Sequence, residues 1–127
     1  MMQAKGRYFS IVLYVQENLD PDSDRLVVMD GRMIYYLRDF DTVVMYPATL
    51  RDLEGYDYLL HSASFVGVYN DRLGLRDSEF YRYVWNPLIF ESVYVNEGVH
   101  VMRILRTDIP KPEEYEAYRA THPPEEP

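Results

Sequence analysis

The segment from Leu88 to Arg106 constrains the fold of this chain most tightly. Two runs of strand-forming residues, Leu88 to Val95 and Val99 to Arg106, flank Asn96-Glu97-Gly98. A three-residue hairpin loop needs a left-handed backbone position, and Gly98 stands where a glycine supplies it without strain. This register places Val95 opposite Val99, Tyr94 opposite His100, Val93 opposite Val101, Glu91 opposite Arg103 and Phe90 opposite Ile104. Both faces are apolar apart from the Glu91–Arg103 charge pair, which predicts a hairpin near the centre of a sheet.

A second hairpin is expected where Leu26 to Met29 and Arg32 to Leu37 flank Asp30-Gly31, a two-residue signal for a type I′ turn. Its register sets Val28 against Met33, Val27 against Ile34 and Leu26 against Tyr35. Tyr8 to Val15 is continuously apolar, β-branched and aromatic, and reads as a central strand. Lys5 and Arg7 precede that run in the manner of a secretion signal, but Gln16, Glu17 and Asn18 follow where small residues would mark a cleavage site. Thr42 to Tyr46 reads as a strand stopped by Pro47, and Phe65 to Tyr69 as another, with Asn70-Asp71 as its turn. Tyr56 to Leu60 fits either a strand or an extended helix.

Helix signals are shorter. Thr49 can cap Leu50 to Glu54 with Gly55 at the exit, Ser78 can cap Glu79 to Trp85 before Pro87, and Pro112 opens a helix to Arg119 with acids early and a base late. The predicted class is α+β, a mainly antiparallel β-sheet with two β-hairpins and two or three short helices. Residues 1–109 are expected to form a single α+β domain, and 110–127 a short helix followed by a disordered, acidic, Pro-rich tail. At 127 residues such a domain can bury a core without covalent or metal staples.

Composition narrows the function. The chain has no cysteine, which removes thiolate nucleophiles, disulfides and Cys-based metal sites, and a reducing, cytoplasmic location fits. No apolar run approaches the roughly 20 residues of a membrane span, so no membrane role is expected. The net charge is −8, and half of it falls in residues 113–127. Without a basic run to displace phosphate counterions, direct nucleic-acid binding is not expected.

Candidate chemistry is sparse. Asp20, Asp22 and Asp24 open like a calcium loop, but Arg25 and Gly31 occupy the positions where that loop needs Gly and Glu, leaving a polar turn. His61, His100 and His122 are singly placed, with no paired-ligand spacing, so no metal site and no cofactor are predicted. His100 is the histidine best placed to act as an acid or base, although a structural role explains it more simply. His61 with Ser62, Ser64 and Asp57 supplies the residue types of a hydrolytic triad, yet groups so close in sequence rarely reach triad geometry. No catalytic residues are assigned. Glu91 and Arg103 read as a cross-strand ion pair.

The residues left over are planar and sticky. Tyr69, Arg72, Arg76, Tyr81, Arg82 and Trp85 cluster in sequence, Tyr115 and Tyr118 share a face of the last helix, and Tyr, Trp and Arg are the types that dominate binding hot spots. These eight are the candidate binding residues. They point to a non-enzymatic binding protein, in the style of a small acidic inhibitor, immunity or phage-accessory module, acting on a protein partner. The alternative is a small-ligand protein that holds or sequesters an anionic or nucleotide-like molecule. Exposed strand edges leave homo-oligomers open as well.

Overall fold

The computed structural model describes residues 7–29, 31–62, 78–96 and 99–122. The elements run α1 (Arg7–Asn18), β1 (Arg25–Val28), a 3₁₀ helix (Gly31–Leu37), β2 (Asp41–Val44), a second 3₁₀ helix (Leu50–Leu53), β3 (Tyr58–Ser62), α2 (Glu79–Tyr83), β4 (Phe90–Asn96), β5 (Val99–Ile104) and α3 (Pro112–Thr121). The five strands form one sheet in the order β2-β1-β3-β5-β4. The class is α+β, as the sequence predicts, but the sheet is mixed. β1 pairs in parallel with β2 and β3, whereas β3–β5 and β5–β4 are antiparallel.

The run Tyr8 to Val15 is helix, not strand. Ile11, Val12, Val15 and Leu19 are buried while Leu13, Gln16, Glu17 and Asn18 face solvent, which is helical spacing. An unbroken apolar run carries no period of its own, and Leu19 shows the repeat only by lying beyond it. α1 covers one face of the sheet, packing with Leu26, Val28, Leu60, Val99 and Val101.

The first expected hairpin is also replaced. Residues 31–37 coil as a 3₁₀ helix that buries Met33 and Leu37 in the layer of α1, and the chain returns as β2, parallel to β1, with Leu26 beside Thr42 and Val28 beside Val44. Burial explains the choice. Leu26, Val27 and Val28 are wholly inaccessible, and coiling residues 31–37 adds Met33 and Leu37 to the layer that packs on Leu26 and Val28. The opposite face of the sheet is covered by Leu50, Leu53, Phe80, Val84 and Ile89, which pack with Val27, Leu59 and Met102.

Local caps follow the sequence closely. The Asp52 amide donates to Thr49 Oγ1 at 3.3 Å, and the amides of Ala48 and Thr49 donate to Asp52 Oδ2 at 3.0 and 3.1 Å. Gly55 takes φ +91° at the exit, where a side chain would be strained. The Tyr81 amide donates to Ser78 Oγ at 3.2 Å, and α2 then stops at Tyr83, two residues short of the expected Trp85. Tyr58–Ser62 settles as a strand. The strand and turn expected at 65–71 lie outside the described residues.

The β4–β5 hairpin forms, but at one edge of the sheet and with a changed register. Phe90–Ile104 and Glu91–Arg103 pair as expected, together with Ser92–Met102. A bulge at Val93 then shifts the rest to Tyr94–Val101, Val95–His100 and Asn96–Val99, so two residues, not three, separate the strands. The expected Val93–Val101, Tyr94–His100 and Val95–Val99 pairs are therefore absent. A bulge lets consecutive residues share a face, and Val93 and Tyr94 both pack toward α1, where Tyr94 stacks on Tyr14 with centroids 4.5 Å apart. That aromatic contact replaces the cross-strand contact with His100.

α3 docks through polar groups. Arg106 forks onto Asp108 at 2.9 and 2.8 Å and reaches Glu114 at 2.6 Å, while Glu114 also accepts from the Lys111 amide at 2.8 Å. The guanidinium beside them holds both carboxyls below their ordinary range. Asn86 Nδ2 donates to Tyr115 Oη at 2.8 Å. No residue of α3 is buried, so the helix adds little to the apolar core. Deleting residues 107–127 should leave one cooperative urea transition with a modestly lowered midpoint. Loss of cooperativity would show that the core needs α3.

Candidate functional site

The most unusual chemistry lies on the face of the sheet opposite α1, at the carboxyl end of β3. Side chains alternate along a strand, so His61 shares the face of Leu59, and His100 that of Met102. His61 and His100 are direct cross-strand partners in the β3–β5 ladder. Their ring centroids are 6.3 Å apart, and the Trp85 indole stands edge-on to both, at 5.1 Å from His61 and 5.0 Å from His100.

The two rings differ in their surroundings. His61 is only 1% exposed, and among the described residues neither ring nitrogen has a hydrogen-bond partner. Burial, with a smaller contribution from neighbouring His100, lowers its pKa to about 4. His100 is half-buried, its pKa is lowered by the same loss of solvent, and its Nδ1 lies 3.2 Å from Ser92 Oγ. The bulge follows Ser92, whose pairing with Met102 is the expected one. It turns Tyr94 to the α1 side and leaves Ser92 as the hydroxyl facing His100.

The strand topology places a switch point between β1 and β2, one strand away from the cluster. The chain leaves β1 toward the 3₁₀ helix on the α1 face, whereas β2 returns to β3 through residues 50–53 on the opposite face. Neighbouring parallel strands with connections on opposite faces define a switch point, and crevices form outside the carboxyl ends of such strands. His61 is the penultimate residue of β3 at that end.

The sequence-predicted binding residues divide into three groups. Tyr69, Arg72 and Arg76 lie outside the described residues. Tyr81, Arg82 and Trp85 lie on α2 and its exit, all exposed, with Trp85 54% and Tyr81 37% accessible. Tyr115 and Tyr118 are half-buried on α3, which the Asn86–Tyr115 bond ties to the segment after Trp85. Tyr118 stacks on His122 with centroids 4.1 Å apart, and both line an open groove of about 360 Å³ with Pro87, Phe90, Glu91, Ser92 and Leu105.

Other candidates resolve into structure. Asp57 accepts from the Arg25 amide at 2.8 Å and precedes β3 at the end remote from His61, about 13 Å along an extended chain, so it cannot complete a triad. Asp20 and Asp24 accept backbone amides of their own turn, from Asp22 at 2.9 Å and from Asp20 at 2.8 Å. Glu91 and Arg103 meet at 3.9 Å in solvent, an ion pair of small energetic weight. His61 is the residue the sequence reading undervalued, and the signal available was its alternation with Leu59 once residues 58–62 are taken as a strand. The chain matches no protein-family model, no curated protein and no solved structure.

The depressed pKa of His61 gives a stability prediction with a definite sign. The unfolded chain binds a proton near pH 6.5 and the folded chain only near pH 4, so stability is complete above about 6.5 and falls as pH drops toward 4. The loss from this residue is on the order of 3 kcal/mol. His61→Leu should remove that part of the pH dependence in metal-free buffer. It should also match or exceed the parent's stability at pH 7.5, since it replaces unpaired buried nitrogens with an apolar side chain. Urea unfolding at several pH values checks both, and parallel curves for the two proteins would refute the assignment.

Proposed function

We propose that this protein is a non-enzymatic binding module that grips a protein partner through the Tyr81–Arg82–Trp85 surface, with Tyr115 and Tyr118 beside it. The observation that carries the reading is Trp85. A large aromatic side chain more than half exposed, next to a second exposed aromatic and an exposed arginine, leaves apolar area uncovered in the residue types that most often anchor interfaces. The indole is also braced edge-on against His61 and His100, so its orientation is set before a partner arrives, which lowers the ordering cost of association.

The charge supports a basic partner. Net charge is −8, half of it in residues 113–127, which include most of the helix that carries Tyr115 and Tyr118. Complementary charge would speed encounter and make binding salt-sensitive. The anionic-ligand alternative has less behind it, because the charged side chain lining the open groove is the acid Glu91.

Affinity capture from lysate of the source organism tests the reading, comparing the parent with Tyr81→Ala/Trp85→Ala and with Tyr35→Ala. Tyr35 is 63% exposed and belongs to the 3₁₀ helix packed in the α1 layer, away from the proposed surface. One protein recovered in near-stoichiometric yield, lost in the double variant, retained by Tyr35→Ala and weakened by high salt is the expected result. No partner, or one held equally by all three proteins, would refute it.

A further inference from the structure

A buried histidine with both nitrogens unpaired is costly, and such a group calls for a physical explanation. His61 is that group, and it directly faces a second imidazole across the β3–β5 ladder. We infer that His61 and His100 together bind one monovalent, soft d¹⁰ cation, Cu(I) or its analogue Ag(I), in a two-coordinate site beneath Trp85.

Ring spacing is compatible with this coordination number. With metal–nitrogen bonds of about 2 Å, two imidazoles facing each other across a linear ion have centroids about 6 Å apart, and across a tetrahedral ion about 5 Å. The observed separation is 6.3 Å. Ser92 supplies the outer partner that histidine ligands characteristically have. When His100 donates Nδ1–H to Ser92 Oγ, its lone pair resides on Nε2, free for an ion.

The setting selects against divalent ions. Zinc in a closed site takes four ligands, and among the described residues no group of three or more His, Asp or Glu gathers anywhere. Two neutral imidazoles cancel none of a cation's charge, so burying one positive charge beside Leu59 and Met102 costs far less than burying two. The Trp85 indole lies within 5.1 Å of both rings, close enough to report on an ion held between them. Imidazole is an accepted ligand for copper, and the chain has no cysteine, its six methionines being the other soft ligands it offers.

Ag(I) is the probe, since it needs no reductant. Trp85 is the chain's single tryptophan, so its fluorescence reports on this site alone. Native mass spectrometry of the full chain with Ag(I) should show one tightly bound ion, and titration should quench Trp85 fluorescence with saturation at one equivalent. His100→Leu, the less buried ligand position and so the less disruptive variant, should weaken binding on the order of 100-fold or more and remove the quenching. His61→Leu should do the same while remaining folded by circular dichroism, and His122→Ala should bind as the parent does. Binding that leaves Trp85 fluorescence unchanged, that survives His100→Leu, or that is matched by Zn(II) at equal concentration would overturn the proposal.

Discussion

Everything in this fold depends on hiding β1. Leu26, Val27 and Val28 are completely buried, which no single neighbour can achieve, because consecutive strand residues face opposite ways. Leu26 and Val28 need α1 on one side, and Val27 needs Leu50, Leu53 and Phe80 on the other. The strand's backbone needs β2 and β3 along its two edges. Arg25, at the mouth of this arrangement, holds the starts of all three parallel strands. Its amide donates to Asp57, its Nε to Asp41 and its Nη1 to the Gly55 carbonyl, and its guanidinium lies over Tyr56 at 4.7 Å. Aligning the strand starts at this end places their carboxyl ends together at the other, where His61 sits.

The bulge at Val93 links that core to the candidate site. A regular hairpin would set Tyr94 over His100, and the phenol would fill the space beside the imidazole. By adding one residue to β4, the bulge sends Tyr94 to stack on Tyr14 of α1 and leaves the small Ser92 hydroxyl next to His100. The packing of the first helix therefore helps decide which group hydrogen-bonds to a histidine on the opposite face of the sheet.

Signals contained within a few residues were legible in the sequence. The caps at Thr49 and Ser78, the Pro112 helix start and the hairpin pairs from Phe90 to Ser92 each depend on local stereochemistry, and each appears in the structure, whereas β2 ends at Val44, two residues short of the expected Tyr46 and before Pro47. Features decided by distant partners were not legible. The run from Tyr8 to Val15 has the composition of a strand and becomes a helix because a sheet face needs a cover. Asp30-Gly31 has the composition of a hairpin turn, yet the following segment coils and buries Met33 and Leu37 in the layer of α1. The candidate site shows the same division. The sequence singles out Tyr81, Arg82 and Trp85, which the structure leaves exposed, whereas the meeting of His61 with His100 requires strands 39 residues apart to pair in one register.

That register has an energetic consequence that separates His61 from an ordinary core position. Its neighbours along the strand, Leu59 and Leu60, are apolar and buried, and a leucine at 61 would continue the pattern at no electrostatic cost. A neutral imidazole there forfeits the hydrogen bonds that water gives it in the unfolded chain, a penalty of roughly 1–3 kcal/mol for each unsatisfied nitrogen. Domain stability is only about 5–15 kcal/mol, so a penalty of that size is a large share of the whole. Strain and unsatisfied groups persist mainly where function uses them. Tyrosine stacking on the α1 face and the three-way tie at Arg25 are the kind of surplus stabilisation that lets such a residue remain. On this physical ground the His61–His100–Trp85 cluster, and not the ion pairs or the Asp-rich turn, is where the structure departs most from what folding alone requires.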